Sequence, residues 1–336
     1  MIPVYNGEKY IDQCFGHLLN QRYSNIEIIV VNDGSTDNTE ELLKQYEQLF
    51  ADRGYIYRHI YQKNARLAVA MNNALQYVSG KYVMIYEIDD VLYRDGILDK
   101  VLYLEDNPEV SMVRNNRYYI KSFNEIERNP FIYRDIDRNE NTVFEDILFG
   151  KTNNWPASYL IRVSDFFRAL GENHKVYEHP GGTHLQFMLP MAYGKKVGFI
   201  DKPLMDYYAH VDSDSHSGGY EANLRRSNWY EEIRQEVIKR IDMPEEKRDA
   251  YSRKLNRMYN RNKMLLAMSH GDREKYQQYA LELNVPTWKS SLSWATRSSI
   301  VGKAVKTLSK ATSVAERKIR ILNYNRKLWS NNAKGY

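Results

Sequence analysis

The first hundred residues alternate between continuous apolar stretches and segments with helical spacing, and this alternation constrains the fold more than any other feature. The apolar stretches predict buried strands, and segments with hydrophobic residues three or four apart predict helices. The predicted strands are 26–31, 55–61 and 82–88, after the end of a strand at 1–5, and the predicted helices are 8–20, 39–50 and 67–78. Strands that alternate with helices form a parallel sheet covered on both faces, so we expect a doubly wound α/β fold.

The chain opens directly on the sequence I-P-V-Y-N, which leaves the first strand almost no residues before its loop. A strand of such a sheet normally has about five residues. We therefore expect a truncated or mis-assigned start.

The pattern changes twice beyond residue 105. Residues 106–208 mix a helix with short strands; the strands are predicted at 110–114, 118–120, 158–161, 197–200 and 204–208, and the helix at 164–170. Residues 221–283 are predicted to be helical, with breaks at M243-P-E-E and H270-G-D. We expect a mixed half built on the same sheet, followed by a C-terminal helical extension.

The chain contains a single cysteine, Cys14, which excludes an internal disulfide framework and fits a reducing compartment. A buried structural thiol is the default interpretation. No run of residues approaches the roughly 20 apolar residues of a membrane span, and the N-terminus lacks the apolar region of a signal peptide. We expect a cytoplasmic protein.

The C-terminal tail is strongly basic. Residues 289–336 contain 11 Lys or Arg residues and one acid, Glu316, whereas the whole chain has a net charge of only +5. Apolar residues of the tail fall on one face of a predicted helix; they are Ile300, Val301, Ala304, Val305 and Leu308. Such a helix can lie at a lipid interface, where anionic headgroups attract each Lys or Arg by about 1 kcal/mol. The alternative is a solvated basic helix packed on its own protein.

The stretch V83-M-I-Y-E-I-D-D90 ends a predicted buried strand in three carboxylates, those of Glu87, Asp89 and Asp90. Two interpretations stay open. Asp is a favoured N-cap residue, so Asp89 and Asp90 could cap the helix predicted to begin near Asp95. Alternatively, like charges at a strand end repel unless a cation relieves them, and such an oxygen cluster suits Mg²⁺ or Mn²⁺.

Two further loops follow predicted strands and carry polar residues. The loop V31-N-D-G-S-T-D-N38 follows a buried strand, and I2-P-V-Y-N-G7 ends the preceding one. Taken alone, the first of these is a turn followed by a helix cap. Because the carboxyl ends of parallel strands meet in one crevice, we expect both loops to lie near Y86-E-I-D-D90 and to form a ligand site.

At these three motifs the chain resembles the family 2 nucleotide-sugar glycosyltransferases, which are inverting enzymes of the GT-A fold, and specifically those of bacterial surface glycans. The resemblance spans about residues 1–215 and rests on the order and spacing of I-P-V-Y-N, V-V-N-D-G-S-T-D-N-T and E-I-D-D. It implies a Rossmann-like, mostly parallel central sheet flanked by helices. The regions that it implies are a nucleotide-sugar-binding half at 1–105, an acceptor-binding half at 106–218, a helical extension at 219–285 and a basic amphipathic tail at 286–336.

The resemblance implies a donor site in which Asp33 accepts a hydrogen bond from the uracil imide. The other donor-site residues from the first two motifs are Pro3, Val4, Tyr5, Asn6 and Gly34. The resemblance places the metal carboxylate at Asp89, with Asp90 adjacent as support, and Mn²⁺ or Mg²⁺ as the ion.

The chain departs from the family pattern at two donor segments. The family's D-x-D-D reads E-I-D-D here, so Glu87 is one methylene longer than the usual Asp and reaches about 1.5 Å further. Glu87 and Ile88 are still expected at the donor site. A Gly-Leu-Ser-Ala-Ala-Arg-Asn type of helix start appears as R66-L-A-V-A-M-N72, where Met71 replaces the usual Arg and Asn72 is expected to face the donor pocket.

The catalytic base is where the resemblance weakens. The family usually carries a Glu-Asp pair before a Gly-x-x-Val strand, here G194-K-K-V197, but this chain reads H179-P-G-G-T-H-L-Q186. His184 is the nearest group suited to proton transfer near neutral pH, and Glu178 and His179 are the alternates. The other interpretation is that His184 has a purely structural role. The segment is similar to a Gly-Gly-x-x-x-Gln form in some members, and Gln186 is expected to face the acceptor.

Two later segments supply further candidates. The loop Y207-Y-A-H-V-D-S-D-S-H-S217 corresponds to a polar loop that closes over the diphosphate in the family, so His210 and His216 are candidate phosphate or metal contacts. His210 is in addition a candidate third metal ligand. Trp155 resembles an aromatic residue near the acceptor site of some relatives. Each of these has a structural alternative, a satisfied histidine or a core tryptophan.

The resemblance predicts a metal-dependent hexosyl- or N-acetylhexosaminyltransferase of bacterial surface-polysaccharide synthesis. Its partners would be a UDP-sugar donor and a glycan, lipid-linked or glycoprotein acceptor. The tail, if it binds lipid, would place the protein at the inner face of the plasma membrane.

The alternative to this enzymatic function is an inactive nucleotide-binding scaffold that lacks the base. A dinucleotide oxidoreductase is disfavoured because no G-x-G-x-x-G follows a strand, and no nucleic-acid partner is expected.

Overall fold

The structure is a computed structural model. It describes residues 1–120, 129–131, 143–152, 156–208, 218–287, 290–291 and 294. The predicted Trp155, His210 and His216 sites lie outside these residues, as does nearly all of the basic tail.

The N-terminal hundred residues form the predicted alternation of strands and helices. The elements are β1 (Ile2–Val4), α1 (Ile11–Leu19), β2 (Glu27–Asp33), α2 (Thr39–Asp52), β3 (Ile56–Gln62) and α3 (Arg66–Leu75). The strands form a parallel sheet in the order β1-β2-β3. The α/β prediction for this part of the chain is therefore confirmed.

Hydrophobic spacing explains why these helices pack on the sheet. The buried residues of α1 are three or four apart, and Cys14 is among them as a free buried thiol, as expected. Phe15 of α1 meets Phe50 of α2 edge to face, with ring centroids 5.2 Å apart. Val30 and Val31 of β2 are fully buried, as expected for a strand covered on both faces.

A second sheet is mixed. Its elements and the helices between them are β4 (Tyr82–Val83), β5 (Val91–Leu92), α4 (Leu98–Asp106), β6 (Val110–Ile120), β7 (Asn129–Phe131), α5 (Val143–Leu148), β8 (Tyr159–Arg162), α6 (Val163–Leu170), α7 (Thr183–Ala192) and β9 (Lys196–Tyr208). The strand order is β4-β8-β6-β9-β5, with β7 on β6. Among the strands that the structure describes in this sheet, β6 and β9 pair in parallel and the remaining pairs are antiparallel.

The backbone after β4 joins the two sheets. The N-terminal amine of Met1 donates to the Met84 carbonyl at 2.8 Å, and the N–H of Tyr86 donates to the Met1 carbonyl at 3.0 Å. On the other side, the N–H of Ala157 donates to the Ile85 carbonyl at 2.7 Å. The predicted strand 82–88 is therefore longer than the observed strand β4, which ends at Val83. The backbone of residues 84–86 nevertheless runs between β1 and the segment before β8 and is hydrogen-bonded to both.

Two long strands replace predicted pairs of short ones. Residues 110–114 and 118–120 belong to the single strand β6, and 197–200 and 204–208 to the single strand β9. The β6–β9 register shifts on both sides of Asn116, so the ladder is irregular where the sequence turns polar. The two strands predicted on either side of Asn116 are therefore one bulged strand.

The C-terminal region is helical, as predicted. It contains α8 (Tyr220–Arg240), α9 (Glu245–His270) and α10 (Arg273–Glu282). Gly271 ends α9 with a φ of 77°, and Asp272 caps α10 by accepting from the Lys275 N–H, so the predicted break at H270-G-D is confirmed.

The described residues divide into two compact units. Those within Met1–Ser213 and Glu232–Met243 form one, and those within Asp214–Glu231 and Pro244–Tyr336 form the other. In the second unit, Lys263 of α9 pairs with Glu231 of α8 at 2.6 Å. Across the part of the chain that the structure covers, no helix has the length and apolar character needed to cross a membrane.

Candidate active site

The loops after β1 and β2 are hydrogen-bonded to each other, as the parallel topology predicts. The N–H of Asn6 donates to Ser35 Oγ at 2.9 Å, and Asn6 Oδ1 accepts from the Thr36 N–H at 2.8 Å. The N–H of Gly7 donates to Thr39 Oγ1 at 2.8 Å. Asn6 has a φ of 50°, a conformation that Asn tolerates better than most residues. The two loops therefore form one wall of a crevice at the carboxyl end of the sheet.

The third motif reaches the same wall. A Cβ added at Gly7 would lie 3.3 Å from Cδ1 of Ile88, so the backbone of the first loop runs close to the E-I-D-D segment. Val4 is 2% exposed and belongs to the core, whereas Tyr5 is 53% exposed at the edge of this crevice. Of these two predicted donor residues, Tyr5 has a solvent-exposed side chain, whereas the side chain of Val4 is buried.

Asp33 is buried at the end of β2, and both of its oxygens are engaged. Oδ1 accepts from Gln62 Nε2 at 2.7 Å and from the Ala65 N–H at 2.8 Å, and Oδ2 accepts from the Arg66 N–H at 2.9 Å. The carboxylate thus holds the N-terminus of α3. A carboxylate has about four acceptor positions, so one on Oδ2 stays available to a ligand donor.

Gly34 makes this arrangement possible. It has a φ of 70°, and a Cβ there would lie 2.6 Å from the Asn64 backbone nitrogen. A larger residue would both strain the backbone and push the loop away from Asp33.

Asp89 and Asp90 lie in a turn after the strand, where Asp90 is buried and Asp89 is half-buried. The N–H of Asp90 donates to the Glu87 carbonyl at 3.2 Å, and the Tyr86 hydroxyl donates to the Asp90 carbonyl at 2.9 Å. Helix α4 begins only at Leu98, and no side chain caps it. The interpretation of these acids as caps of the next helix is therefore wrong.

Burial and mutual repulsion raise the pKa of both acids. Burial, followed by the charge of Glu87, raises the pKa of Asp89 to about 7. Burial, followed by the charges of Glu87 and Asp89, raises the pKa of Asp90 well above its ordinary value, although Arg117 and the Tyr208 backbone act against this. Asp90 is 1% exposed, and neither carboxylate oxygen has a hydrogen-bond partner within ordinary geometric limits among the described residues.

Arg117 was not predicted from the sequence. It is fully buried in β6, its guanidinium lies 4.4 Å from the ring centre of Tyr207, and its charge lowers the pKa of Asp90. An arginine in a strand carries no local signal for such a role. Among the described residues, no group of three or more His, Cys, Asp or Glu side chains is arranged as a metal site.

Glu87 and His184, two departures from the family pattern, contact each other. His184 is the second residue of α7, and its Nε2 lies 3.1 Å from Glu87 Oε1. Its Nδ1 lies 3.2 Å from the hydroxyl of Tyr159, which sequence reasoning did not identify. Both ring nitrogens of the predicted base are therefore engaged.

Glu178 follows a backbone segment held by two side-chain amides. Asn72 bonds both backbone groups of Val176, and its Nδ2 lies 3.3 Å from Glu178 Oε1. Gln186 bonds both backbone groups of Tyr177. Glu178 itself is exposed. The side-chain amides of Asn72 and Gln186 thus bond the protein's own backbone. The expected contact of Asn72 with the donor and that of Gln186 with the acceptor stay predictions.

His179 has a structural environment. Its Nδ1 accepts from the Gly181 N–H at 3.2 Å and its Nε2 lies 3.2 Å from Glu232 Oε2. It is 9% exposed and stacks near Tyr177. This alternate base therefore serves the turn before α7.

Comparison with known proteins identifies the domain that carries Asp33, Asp89 and Asp90. Residues 1–167 match the family model described as glycosyl transferase family 2. The N-terminal half of this chain is a family 2 glycosyltransferase domain. A relative, glycosyltransferase GlyA of Streptococcus pneumoniae serotype 4, is 39% identical over 127 residues, which are 38% of this chain and 17% of GlyA. The match thus spans about a sixth of that relative's length.

Solved structures share the fold of this chain. S. aureus TarS 1-349 in complex with UDP-GlcNAc aligns with a TM-score of 0.60 and 15% identity over 84% of this chain and 78% of that one. The mannosyltransferase PcManGT from Pyrobaculum calidifontis, in complex with GDP-Man and Mn2+, aligns with a TM-score of 0.56 and 16% identity over 98% of this chain and 86% of that one. The α/β fold predicted as GT-A is confirmed.

Proposed function

We propose that this protein is a metal-dependent, inverting glycosyltransferase that moves a hexose or N-acetylhexosamine from a UDP-sugar to an acceptor hydroxyl. The observation that carries the proposal is the pair of adjacent carboxylates of Asp89, which is half-buried, and Asp90, which is buried, beside the hydrogen-bonded loops of Asn6 and Asp33. Carboxylates that are removed from water and repel each other are costly unless the site holds a cation.

The residues present fit a divalent ion. Asp90 is a buried carboxylate whose oxygens lack hydrogen-bond partners among the described residues, and the pKa of the adjacent Asp89 is raised to about 7 by burial and by Glu87. Hard oxygen ligands suit Mg²⁺ or Mn²⁺, which commonly bind through one or two carboxylates together with substrate phosphates and water. Asp89 and Asp90 would hold the ion, and His210 is proposed as a further ligand. When bound, the ion would stabilise the charge that develops on the leaving diphosphate.

The donor nucleoside would bind along the wall formed by the first two loops. We assign the uracil to the free acceptor position of Asp33 and to the exposed ring of Tyr5, with Pro3, Asn6 and Gly34 shaping the loop backbone around it. Val4 and Ile88 would contribute through their backbones and packing. UDP-GlcNAc in the TarS complex supports a uridine nucleotide as the first choice to test.

Glu178 is our assignment for the general base. It is exposed, it follows a backbone segment fixed by Asn72 and Gln186, and a carboxylate in such a place can accept the proton of an acceptor hydroxyl as that oxygen attacks the sugar. His184, the other predicted base, has both ring nitrogens engaged.

The acceptor is proposed to be a growing bacterial surface glycan, a lipid-linked intermediate or a glycoprotein. Trp155 is a candidate for stacking on its sugar ring. The basic tail is proposed to place the enzyme at the inner face of the plasma membrane, where anionic lipids attract Lys and Arg.

The test is UDP release from a panel of UDP-sugars by the full chain, measured with Mn²⁺ and with EDTA. Release that depends on Mn²⁺, with or without an added acceptor, supports the proposal. A protein that neither binds UDP nor releases a nucleotide from any donor would contradict the proposal.

The second candidate is a nucleotide-binding scaffold without transferase activity. The observation that favours it is the absence of a carboxylate in the stretch 179–186, where the family usually carries its base. Such a protein would bind UDP but release none from any donor, and Asp89→Ala would have no turnover to abolish.

A further inference from the structure

His184 has a partner at each ring nitrogen, and these partners differ in their access to solvent. Tyr159, at Nδ1, is fully buried, whereas the Glu87 side chain, at Nε2, is 33% exposed. The His184 side chain is 14% exposed, so Glu87 is the member of this hydrogen-bonded group that is most open to a bound substrate.

The carboxylate of Glu87 determines which nitrogen of His184 carries a proton. An ionised carboxylate only accepts hydrogen bonds, so Nε2 donates to it. In the neutral ring Nδ1 then accepts from the Tyr159 hydroxyl, and in the protonated ring both nitrogens donate. Burial, with the charge of Glu87 as the next cause, raises the pKa of Tyr159 well above its ordinary value, so this hydroxyl keeps its proton.

Neither ring nitrogen is placed to take a proton from an acceptor. Nε2 already carries one in both protonation states, and Nδ1 faces a buried hydroxyl that no substrate can displace. The imidazole is instead suited to hold the Glu87 carboxylate in one orientation, as a partner hydrogen-bonded at its far side can do.

We propose that His184 is a positioning residue that holds Glu87 in one orientation at the donor site, and that Tyr159 orients His184. Oε2 has no partner among the described residues, and Glu87 stands two residues before Asp89 and next to Ile88, which packs on the first loop. This inference rests on the proposed function, because it assigns Glu87 to the donor.

The length of Glu87 fits this role. An Asp at position 87 would end about 1.5 Å short, one carbon–carbon bond, and could not keep its 3.1 Å contact with His184 without a backbone shift. The longer acid and the histidine therefore function as a pair that bridges the segment after β4 and the N-terminus of α7.

The experiment compares wild type, His184→Ala, His184→Gln, Glu87→Ala and the Glu87→Ala/His184→Ala double variant. Calorimetry measures the Kd for UDP with Mn²⁺, and UDP release measures turnover. The Gln side chain can place an N–H where Nε2 stands but cannot accept a proton near neutral pH, so it separates positioning from base catalysis.

We expect His184→Ala to weaken UDP binding about tenfold, the effect of losing one hydrogen bond to a charged group. His184→Gln should retain UDP affinity within about threefold of wild type and most of the turnover. The double variant should bind UDP no more weakly than Glu87→Ala, because the two residues act through one contact.

The opposite pattern would overturn the inference. If His184→Gln and His184→Ala both lost turnover while their UDP affinity stayed within about twofold of wild type, His184 would be the base. The inference would also be contradicted if the loss of UDP affinity in the double variant equalled the product of the losses in Glu87→Ala and His184→Ala, because the two residues would then act independently. Tyr159→Phe gives a second measurement if His184→Ala does not fold, with weaker UDP binding expected and unchanged binding contradicting the proposal. A wild type that binds no UDP would refute the proposed function instead.

Discussion

Asn72 hydrogen-bonds both backbone groups of Val176, a residue 104 positions away in the sequence. Its Nδ2 donates to the Val176 carbonyl at 3.0 Å, and its Oδ1 accepts from the Val176 N–H at 2.8 Å. Gln186 makes the same pair of bonds to Tyr177, at 2.9 and 2.6 Å. Two side-chain amides from α3 and α7 thus fix the backbone that leads into Glu178.

Replacing one of these amides should loosen that backbone. Asn72→Leu leaves the buried Val176 N–H without its partner, which is expected to lower the free energy of unfolding by about 1–3 kcal/mol. We expect kcat to fall more than the KM for the donor rises, since Glu178 is displaced while the nucleotide wall is kept. Urea unfolding and steady-state kinetics measure the two effects. Gln76→Leu, on the exposed C-terminal end of the same helix, is the control, and an equal loss of kcat there would contradict the assignment.

Glu178→Gln tests the base directly. The amide keeps the size of the side chain but cannot accept the acceptor's proton, so kcat should fall by about 100-fold or more. The Kd for UDP should not change. Glu172→Gln, another exposed acid before α7, is the matched control and should retain wild-type kinetics. Full activity in Glu178→Gln would show that Glu178 is not the general base and that another residue has this role.

The raised pKa of Asp89 predicts how stability depends on pH without metal. In the folded chain the pKa of this acid is raised to about 7 from an ordinary 3.8, so the folded state binds the proton more tightly than the unfolded state. Stability in EDTA should therefore fall as pH rises from about 4 to about 7, with at most about 4 kcal/mol from this group.

Asp89→Asn should remove that part of the pH dependence. The variant is expected to be more stable than wild type at pH 8 in EDTA and to gain less from Mn²⁺, whereas Asp106→Asn, at an exposed acid, should behave as wild type. Thermal unfolding at several pH values measures these differences. A wild type that gains no stability from Mn²⁺ with UDP would argue against the metal site.

Lys100 gives an independent pH prediction. Its ammonium is fully buried and donates to the Ala157 carbonyl at 2.6 Å, and burial lowers the pKa of this lysine to about 7, against a smaller opposite effect of Asp99. The unfolded chain binds this proton up to about pH 10.5, so stability should rise between about pH 7 and pH 10.

Lys100→Met should remove this rise. The difference in unfolding free energy between wild type and variant is expected to change by a few kcal/mol across that range, at most about 5. Chemical unfolding at pH 7 and at pH 9.5 measures it. An identical pH dependence in the two proteins would show that Lys100 stays protonated in the fold.

The sequence was sufficient to predict contacts that follow from local pattern and parallel topology. The apolar run of β2 and the helical spacing of α1 predict adjacent parallel strands, and adjacent parallel strands bring Asn6 to Ser35. The acids at 87–90 were expected at the end of a strand of the parallel sheet, whereas the structure places them after β4, a short strand of the mixed sheet.

Contacts that cross the mixed sheet could not be predicted in this way. Glu87 and His184 are 97 residues apart and meet only because β4, β8 and β6 pair in an antiparallel order that no short motif specifies. Asn115 and Asn116 lie between two predicted strands, yet both are buried in the single strand β6, where Asn115 donates to the Asn116 carbonyl and Asn116 donates to Asp201. At Asn116 a tertiary hydrogen bond to Asp201 overrides the low strand preference of asparagine.

The most direct test of the central claim is a calorimetric titration of UDP into wild type and Asp89→Asn, each with Mn²⁺ and with EDTA. We expect wild type to bind UDP at least about tenfold more tightly with Mn²⁺, and Asp89→Asn to bind it equally weakly in both conditions. Wild-type affinity that is the same with Mn²⁺ and with EDTA would contradict the account, because the carboxylates after β4 would then hold no ion against the diphosphate.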